Sequence, residues 1–337
     1  MCIRDRYNNN ITSESVNWTL VDATWSSLAV SSITYDPNDT NTMYVGTGER
    51  MGNYSSGGSN WYSPGVSRGL GLCKTTVGGT TWINLTKSQN FAFINDILVK
   101  NESGTSVIYI GVGGNEFEGS YVGRDNTGLW KSSDGGNSWS TNTDNLPVIG
   151  VSYIAINPIN PQEMYITTGD AHASDTYSIG ILKSNDGGTT WDTTGIQFPV
   201  PSNKMVNKLI IHPTFTDSIF AATDERIMIS PDGGQTWSMA QNTSGSNLIG
   251  RFRDIEFKPN NPNVLYAVKQ TNGSSEVFKS TDRGLTWFSS NNGIGLVNRN
   301  RPLIAVTPAN PDVVYVLFCK NDYSFHGLYK STDNGDN

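Results

Sequence analysis

The side chains of this chain that could do chemistry gather in the connections between short apolar runs. Glu49, Glu116, Glu118, Asp170, Asp175, Asp224 and Glu225 all fall there. Two such carboxylates facing each other across a glycosidic bond can act as acid and base, or as acid and nucleophile. Which two would face each other depends on the fold. Arg50, Arg68, Arg124, Arg226, Arg251, Arg253, Arg299 and Arg301 map to the same connections or their edges. Guanidinium forks match carboxylates, sulfates and phosphates, so the arginines point to an anionic ligand, an acidic glycan or a partner's acidic segment. The plainer reading is that charges at loop ends are simply solvated. Tyr54, Trp61, Tyr62, His172 and His326 are assigned to these loops as well.

A repeat positions them. The segments "KSSDGGNSWS" (131–140), "KSNDGGTTWD" (183–192), "ISPDGGQTWS" (229–238) and "KSTDRGLTWF" (279–288) are near copies of S-x-D-x-G-x-T-W. A degenerate copy, "TTVGGTTW" (75–82), has Val77 in the acidic place, and another opens at Ser331 with Asp333 and Gly335. The tryptophans are Trp82, Trp139, Trp191, Trp237 and Trp287, spaced by 57, 52, 46 and 50 residues. Ahead of each copy stands a five-residue alternating run such as "GLWKS" or "GILKS", apolar on both faces, which reads as a sandwiched strand. Further upstream each unit holds a strand, a polar turn and a second strand, as in "YIAINPINPQEMYITTGD". Pro37, Pro158, Pro213, Pro259 and Pro308 sit in those turns, where pairing must stop. A short run after each Trp is the fourth strand.

Four antiparallel strands per repeat is the plan of a β-propeller blade, so the expected fold is all-β with six blades, the sixth incomplete. Strands a to d then run outward from a central channel. The stretch "NWTLV" (17–21) reads as an orphan outer strand. The motif itself falls in the c–d turn. There Asp134, Asp186, Asp232, Asp282 and Asp333 can bond amides of their own turn, Gly supplies positive φ, and the Trp buries its ring against the next blade. Identical residues in every repeat serve the repeat, so these aspartates read as joints rather than a shared catalytic or calcium site. In up-and-down blades the a–b and c–d turns share one face, which leaves the b–c and d–a loops on the other. Among the b–c loops, 49–68, 113–127 and 169–178 are long, whereas 223–226 is tight. Ligand contacts are therefore expected from Glu49, Arg50, Trp61, Tyr62, Arg68, Glu116, Arg124, Asp170, His172, Arg226, Arg253 and Arg301.

Composition narrows the classes. The 337 residues are 36% hydrophobic and 16% charged, with 35 Gly and a net charge of -7, which disfavours a nucleic-acid groove. No apolar run is long enough to span a membrane. Cys2, Cys73 and Cys319 make neither a metal spacing nor a disulfide framework, and the three histidines are scattered, so no metal or cofactor is expected. Residues 1–15 read as a leader carrying a vector scar. Residues 16–337 read as one propeller, with units at about 22–86, 87–143, 144–195, 196–241, 242–290 and 291–337. The last motif stops before its Trp, which suggests a fragment of a longer protein.

The motif resembles the Asp-box, or BNR repeat, of sialidases, sortilin-type receptors, some xyloglucanases and many secreted bacterial propellers. "YVGTGE" (44–49), a long loop and "KTTVGGTTW" (74–82) look most like the sortilin-type and related bacterial extracellular proteins. The Arg-Ile-Pro element of sialidases is absent, and no motif matches the catalytic aspartates of xyloglucanases. What the resemblance implies is an extracellular, non-catalytic propeller binding a protein, peptide or glycan on the face opposite the Asp-boxes. The alternative is a glycoside hydrolase, xyloglucanase- or sialidase-like, using loop-face carboxylates. A third possibility by analogy is an assembly factor like those of photosystem II.

Overall fold

The structure, a computed structural model, describes all residues except 1–5, 8–18, 21–28, 51–65, 68, 114–125, 142, 144–145, 147–149, 170–177, 200–203, 296 and 323. Six sheets follow one another along the chain as a β-propeller. Their inner strands are Val30–Asp36, Ile94–Glu102, Val151–Ile156, Val206–Ile211, Arg251–Phe257 and Asn300–Val306. Successive inner strands pack against one another, as the radial plan requires. Blades one to four have four antiparallel strands. Blade five adds the short strand Gln241–Asn242, paired parallel to its outer strand, and blade six has three strands. Each turn proline lies one or two residues past the end of an inner strand, where its missing N–H costs no ladder bond. The expected orphan strand pairs elsewhere: Thr19–Leu20 forms a ladder with Arg6–Tyr7.

Both faces of each sheet are apolar because each is covered by a neighbour. One core joins Tyr44 and Leu72 of blade one to Ile97, Ile108 and Ile110 of blade two. The next joins Tyr109 and Leu129 to Ile154 and Ile166. Tyr165 and Ile181 then meet Leu209 and Ala221, and Phe220 and Ile227 meet Ile255 and Ala267. Tyr266 and Val277 meet Ile304 and Val316. Stability is thus distributed over the gaps between blades, as in other repeat architectures.

The recurring corner is a joint. Asp134 Oδ1 accepts the amides of Asn137 and Ser138 at 2.9 Å, and Ser138 Oγ donates to Oδ2 at 2.6 Å. Ser132 Oγ donates to Asp134 and accepts the Gly136 amide. Asp186, Asp232, Asp282 and Asp333 repeat the pattern within their own turns. These donors, the Ser138 hydroxyl first for Asp134, hold the carboxyls of Asp134, Asp186 and Asp333 down at about 2. In the first copy Thr75 Oγ1 accepts the amides of Val77 and Gly79, so the turn closes without an acid. The residue after the Asp is left-handed in every copy: Gly135 at φ 73°, but also Arg283 at 59° and Asn334 at 64°. Its amide donates to the a–b turn of the same blade in Gly78→Asn41, Gly187→Gln162, Gly233→Asp217, Arg283→Asn263 and Asn334→Asp312, at 2.8–2.9 Å. The two kinds of turn therefore do share a face.

One expectation is corrected. The motif tryptophans pack toward the preceding blade, not the next. Trp139 meets Phe91 edge-on at 5.4 Å in the core between blades one and two, and Trp287 lies in the core between blades four and five. The ring folds back over its own corner, with Trp82, Trp237 and Trp287 donating to the carbonyls of Gly79, Gly234 and Gly284. That fold-back turns its open face toward the sheet already built. The lysines that end the strands before each corner also have a structural use. Lys74, Lys131, Lys183 and Lys330 lie 5.3–5.9 Å from the ring centroids of Tyr44, Tyr109, Tyr165 and Tyr315.

Candidate functional site

One register position of the inner strands lines the channel with different side chains in different blades. Asp96 accepts the amide of its neighbour Ile97 and that of Ile154 in the next blade, at 3.0 and 2.9 Å. Asp254 repeats this with Ile255 and Ile304. Tyr153 and Lys208 hold the corresponding places in blades three and four. Lys208 Nζ lies 2.7 Å from Asp254 Oδ1 and 2.6 Å from Glu256 Oε1, and 5.9 Å from the centroid of Tyr153. Burial alone would depress the Lys208 ammonium, but the Asp254 and Glu256 carboxylates keep its pKa well above the ordinary lysine value. Burial raises the Asp96 carboxyl to about 6, against the pull of the two amides and of Lys208. A carboxyl titrating there has the acidity of a general acid. Its oxygens, however, are taken by two amides from adjoining blades, which makes Asp96 a blade-to-blade staple.

Toward the loop face, blades four to six bring cations together at the channel mouth. The tight turn after Ile219–Thr223 is closed by Thr223, whose hydroxyl accepts the amides of Glu225 and Arg226 and donates to the Arg226 carbonyl. Glu225 pairs with Lys204 at 3.1 Å and Arg226 at 3.2 Å, and Lys204 first, then Arg226, holds its carboxyl below the usual range. Asp224 lies 2.9 Å from Arg251 Nε and accepts from Asn207 Nδ2 at 3.0 Å. Asn207 Nδ2 also donates to the Phe252 carbonyl at 2.7 Å, tying blade four to blade five. Arg253 is half-buried in this wall. Burial, then the like charges of Arg251 and Arg301, lower its pKa to about 10, against the pull of Asp224 and Asp254. Arg301 holds φ at 42°, a left-handed backbone uncommon outside glycine.

The sequence placed these residues in connections, and the structure moves several of them. Arg251 and Arg253 belong to the inner strand of blade five, and Arg301 to that of blade six. The ladder begins three residues ahead of the apolar run, because Arg251 pairs with Gln270. Arg299 is 2% exposed and stacked 5.4 Å from the Phe318 ring, so it is a core residue rather than a surface contact. His326 lies in the last strand of blade six, with Nε2 against the Val297 carbonyl, instead of in a loop. Arg226 lies in the tight turn 223–226. The backbone of Glu49 and Arg50 pairs with Ser67 and Val66, which extends the first long loop as a two-stranded ladder. Tyr54, Trp61, Tyr62, Arg68, Glu116, Glu118, Arg124, Asp170, His172 and Asp175 lie outside the described residues. Among the described residues no three His, Cys, Asp or Glu side chains group as metal ligands, and no helix is long and apolar enough to cross a membrane. The cluster of Lys208, Asp254, Glu256 and Tyr153 was not foreseen. The signal available was the polar "NK" and "RD" interrupting otherwise apolar inner strands.

No family model matches the chain. Six curated proteins match it, and all are xyloglucanases. A Paenibacillus xyloglucanase is 26% identical over 235 residues, 61% of this chain and 22% of the relative. One from Acetivibrio thermocellus is 27% identical over 168 residues, covering 43% and 20%. One from Hypocrea jecorina is 21% identical over 318 residues, covering 80% and 34%. The chain thus spans between a fifth and about a third of the length of these relatives. Among solved structures, an ancestral GH74 enzyme superposes with a TM-score of 0.62 at 17% identity, covering 90% of this chain and 38% of that one. The GH74 xyloglucanase of Xanthomonas campestris gives 0.61 at 14% identity, covering 95% and 48%. The expected non-catalytic binder finds no support in these relatives, and the glycoside hydrolase alternative does. The chain has the fold of a xyloglucanase propeller, and its curated relatives bear that name.

Proposed function

We propose that this propeller is part of an extracellular glycoside hydrolase acting on a xyloglucan-like β-glucan, with the polysaccharide lying across the loop-side rim. The observation that carries this reading is that the curated relatives are xyloglucanases, one of them aligned over 80% of the chain. In the proposed reaction one rim carboxyl protonates the glycosidic oxygen as its bond to the anomeric carbon breaks. A second carboxylate takes a proton from the attacking water or attacks that carbon itself. Glu49, Glu116 and Asp170 are the proposed carboxylates. Trp61 and Tyr62 would stack on sugar faces, and Arg50, Arg68, Arg124 and His172 would bond hydroxyls.

The test is release of reducing ends from xyloglucan by the full-length protein, beside Glu49→Gln, Glu116→Gln and Asp170→Asn. At least one variant is expected to lose about 100-fold or more in kcat while still being retarded in xyloglucan-containing gels. A protein that neither cleaves nor is retarded by any β-glucan sinks the reading.

A further inference from the structure

Among the described residues, the channel mouth between blades four and six holds a guanidinium, that of Arg253, with which no carboxylate forms an ion pair. Lys204, Arg226, Arg251 and Arg253 stand there with Asp224 and Glu225, in a chain whose overall charge is -7. Glu225 is shared by Lys204 and Arg226, and Asp224 is committed to Arg251 and Asn207. The deeper carboxylate Asp254 is bound by Lys208 and by the amides of Ile255 and Ile304. Among the described residues no carboxylate lies within ion-pair distance of Arg253, although it is half-buried and set between Arg251 and Arg301 on adjoining inner strands. Holding like charges together in a partly dehydrated wall costs free energy unless an anion joins them. The left-handed Arg301 adds backbone strain at the same spot, the kind of cost that collects at ligand sites.

We propose that Arg253, between Arg251 and Arg301 at the channel mouth, binds the carboxylate of an acidic sugar, a uronic acid residue carried by the glycan. This rests on the glycan-handling reading above for the class of ligand. A planar carboxylate suits the two-pronged geometry of a guanidinium, and a mouth lined by a second and a third cation favours it over a neutral hydroxymethyl group. An acidic peptide offers the same carboxylate, but the xyloglucanase relatives favour the sugar.

The test is gel retardation of the full-length protein by carboxymethylcellulose and by hydroxyethylcellulose, which share a backbone and differ in charge. Free glucuronate, glucose and polyglutamate serve as competitors. Carboxymethylcellulose is expected to bind about tenfold more tightly at low salt, the worth of one charge-assisted bond. Arg253→Gln should abolish that preference and leave hydroxyethylcellulose binding alone. Lys87→Gln, at an exposed position beside the outer strand of blade one, should change neither. Should Arg253→Gln fail to fold, Arg253→Lys and Arg301→Gln replace it, each expected to weaken the preference. An equal response to both celluloses, a preference that survives in a folded Arg253→Gln protein, or competition by polyglutamate but not glucuronate overturns the proposal. Cleavage of neutral xyloglucan without any acid preference sinks only this inference. An acid preference with no binding or cleavage of neutral glucan supports it and sinks the hydrolase.

Discussion

Replacing Lys208 with Met tests whether charge or packing holds the channel wall together. Met keeps most of the side-chain length, so the cavity contribution is small. What is lost is the cation 2.7 Å from Asp254 and 2.6 Å from Glu256, in a cluster where Lys208, Asp254 and Glu256 are 15, 8 and 29% exposed. Removing one partner of a buried pair typically costs about 3–5 kcal/mol. Asp254 keeps its amides from Ile255 and Ile304, and Glu256 reaches water, so the lower end, about 3 kcal/mol, applies at pH 7.5. The pH dependence identifies the cause. Burial already raises the Glu256 carboxyl, and losing Lys208 raises it further. A carboxyl raised in the folded state favours folding when protonated. Its contribution is complete below the unfolded pKa and is lost as pH climbs through the folded one. Asp96, at about 6 with Lys208 present, moves the same way. Urea unfolding midpoints of wild type and Lys208→Met should therefore differ widely at pH 7.5 and narrowly at pH 4.5. An equal gap at both values, or one under about 1 kcal/mol at pH 7.5, would show that the cluster is not held by its charges.

Trp287 is fully buried, whereas Trp82 is half-buried and meets the small cluster of Val30, Val45 and Cys73. Trp287→Ala should cost about 3–5 kcal/mol in urea unfolding and Trp82→Ala clearly less, and equal costs would contradict the packing described. The carboxyls of Asp134, Asp186 and Asp333 are depressed to about 2, so their stabilisation is present above the unfolded pKa and is lost as pH falls through the folded value. Stability should decline between about pH 4 and pH 2, and the decline should flatten in an Asp134→Asn, Asp186→Asn double variant. An unchanged acid slope would separate these carboxyls from acid unfolding.

The blades were readable because each repeat carries its own instructions. Proline ends an inner strand, alternating apolar residues mark a doubly covered strand, and Ser, Asp, Gly and Trp mark the corner, all signals written within a few residues of one another. Even the exception followed from local chemistry, since Thr75 takes the amides that the motif Ser takes elsewhere and the Thr80 hydroxyl donates to the Val77 carbonyl where the Asp would stand. The channel was not readable in this way. Asp96, Tyr153, Lys208 and Asp254 occupy one register position in four repeats, differ in type apart from the two aspartates, and meet only because successive blades curve round over more than 150 residues of chain. The direction of the tryptophans was missed for a related reason: a Trp after a turn signals burial, but which neighbouring sheet receives it depends on how the corner folds back. Eight arginines were assigned to the connections or their edges, Arg226, Arg251, Arg253 and Arg301 among them, yet the setting of Arg251, Arg253 and Arg301 in strand walls depended on ladder ends that begin ahead of the apolar pattern.

In five of the six blades a corner amide reaches the carbonyl of the inner hairpin's turn, a stitch across one end of the sheet. Such a blade behaves like the rib of a fan, pinned at its rivet and free at its tip. Lengthening a connection at the tip leaves the stitch undisturbed, so 223–226 can remain a tight turn while 49–68 grows to twenty residues. New recognition can therefore accumulate at the tips without renegotiating how the ribs are fastened.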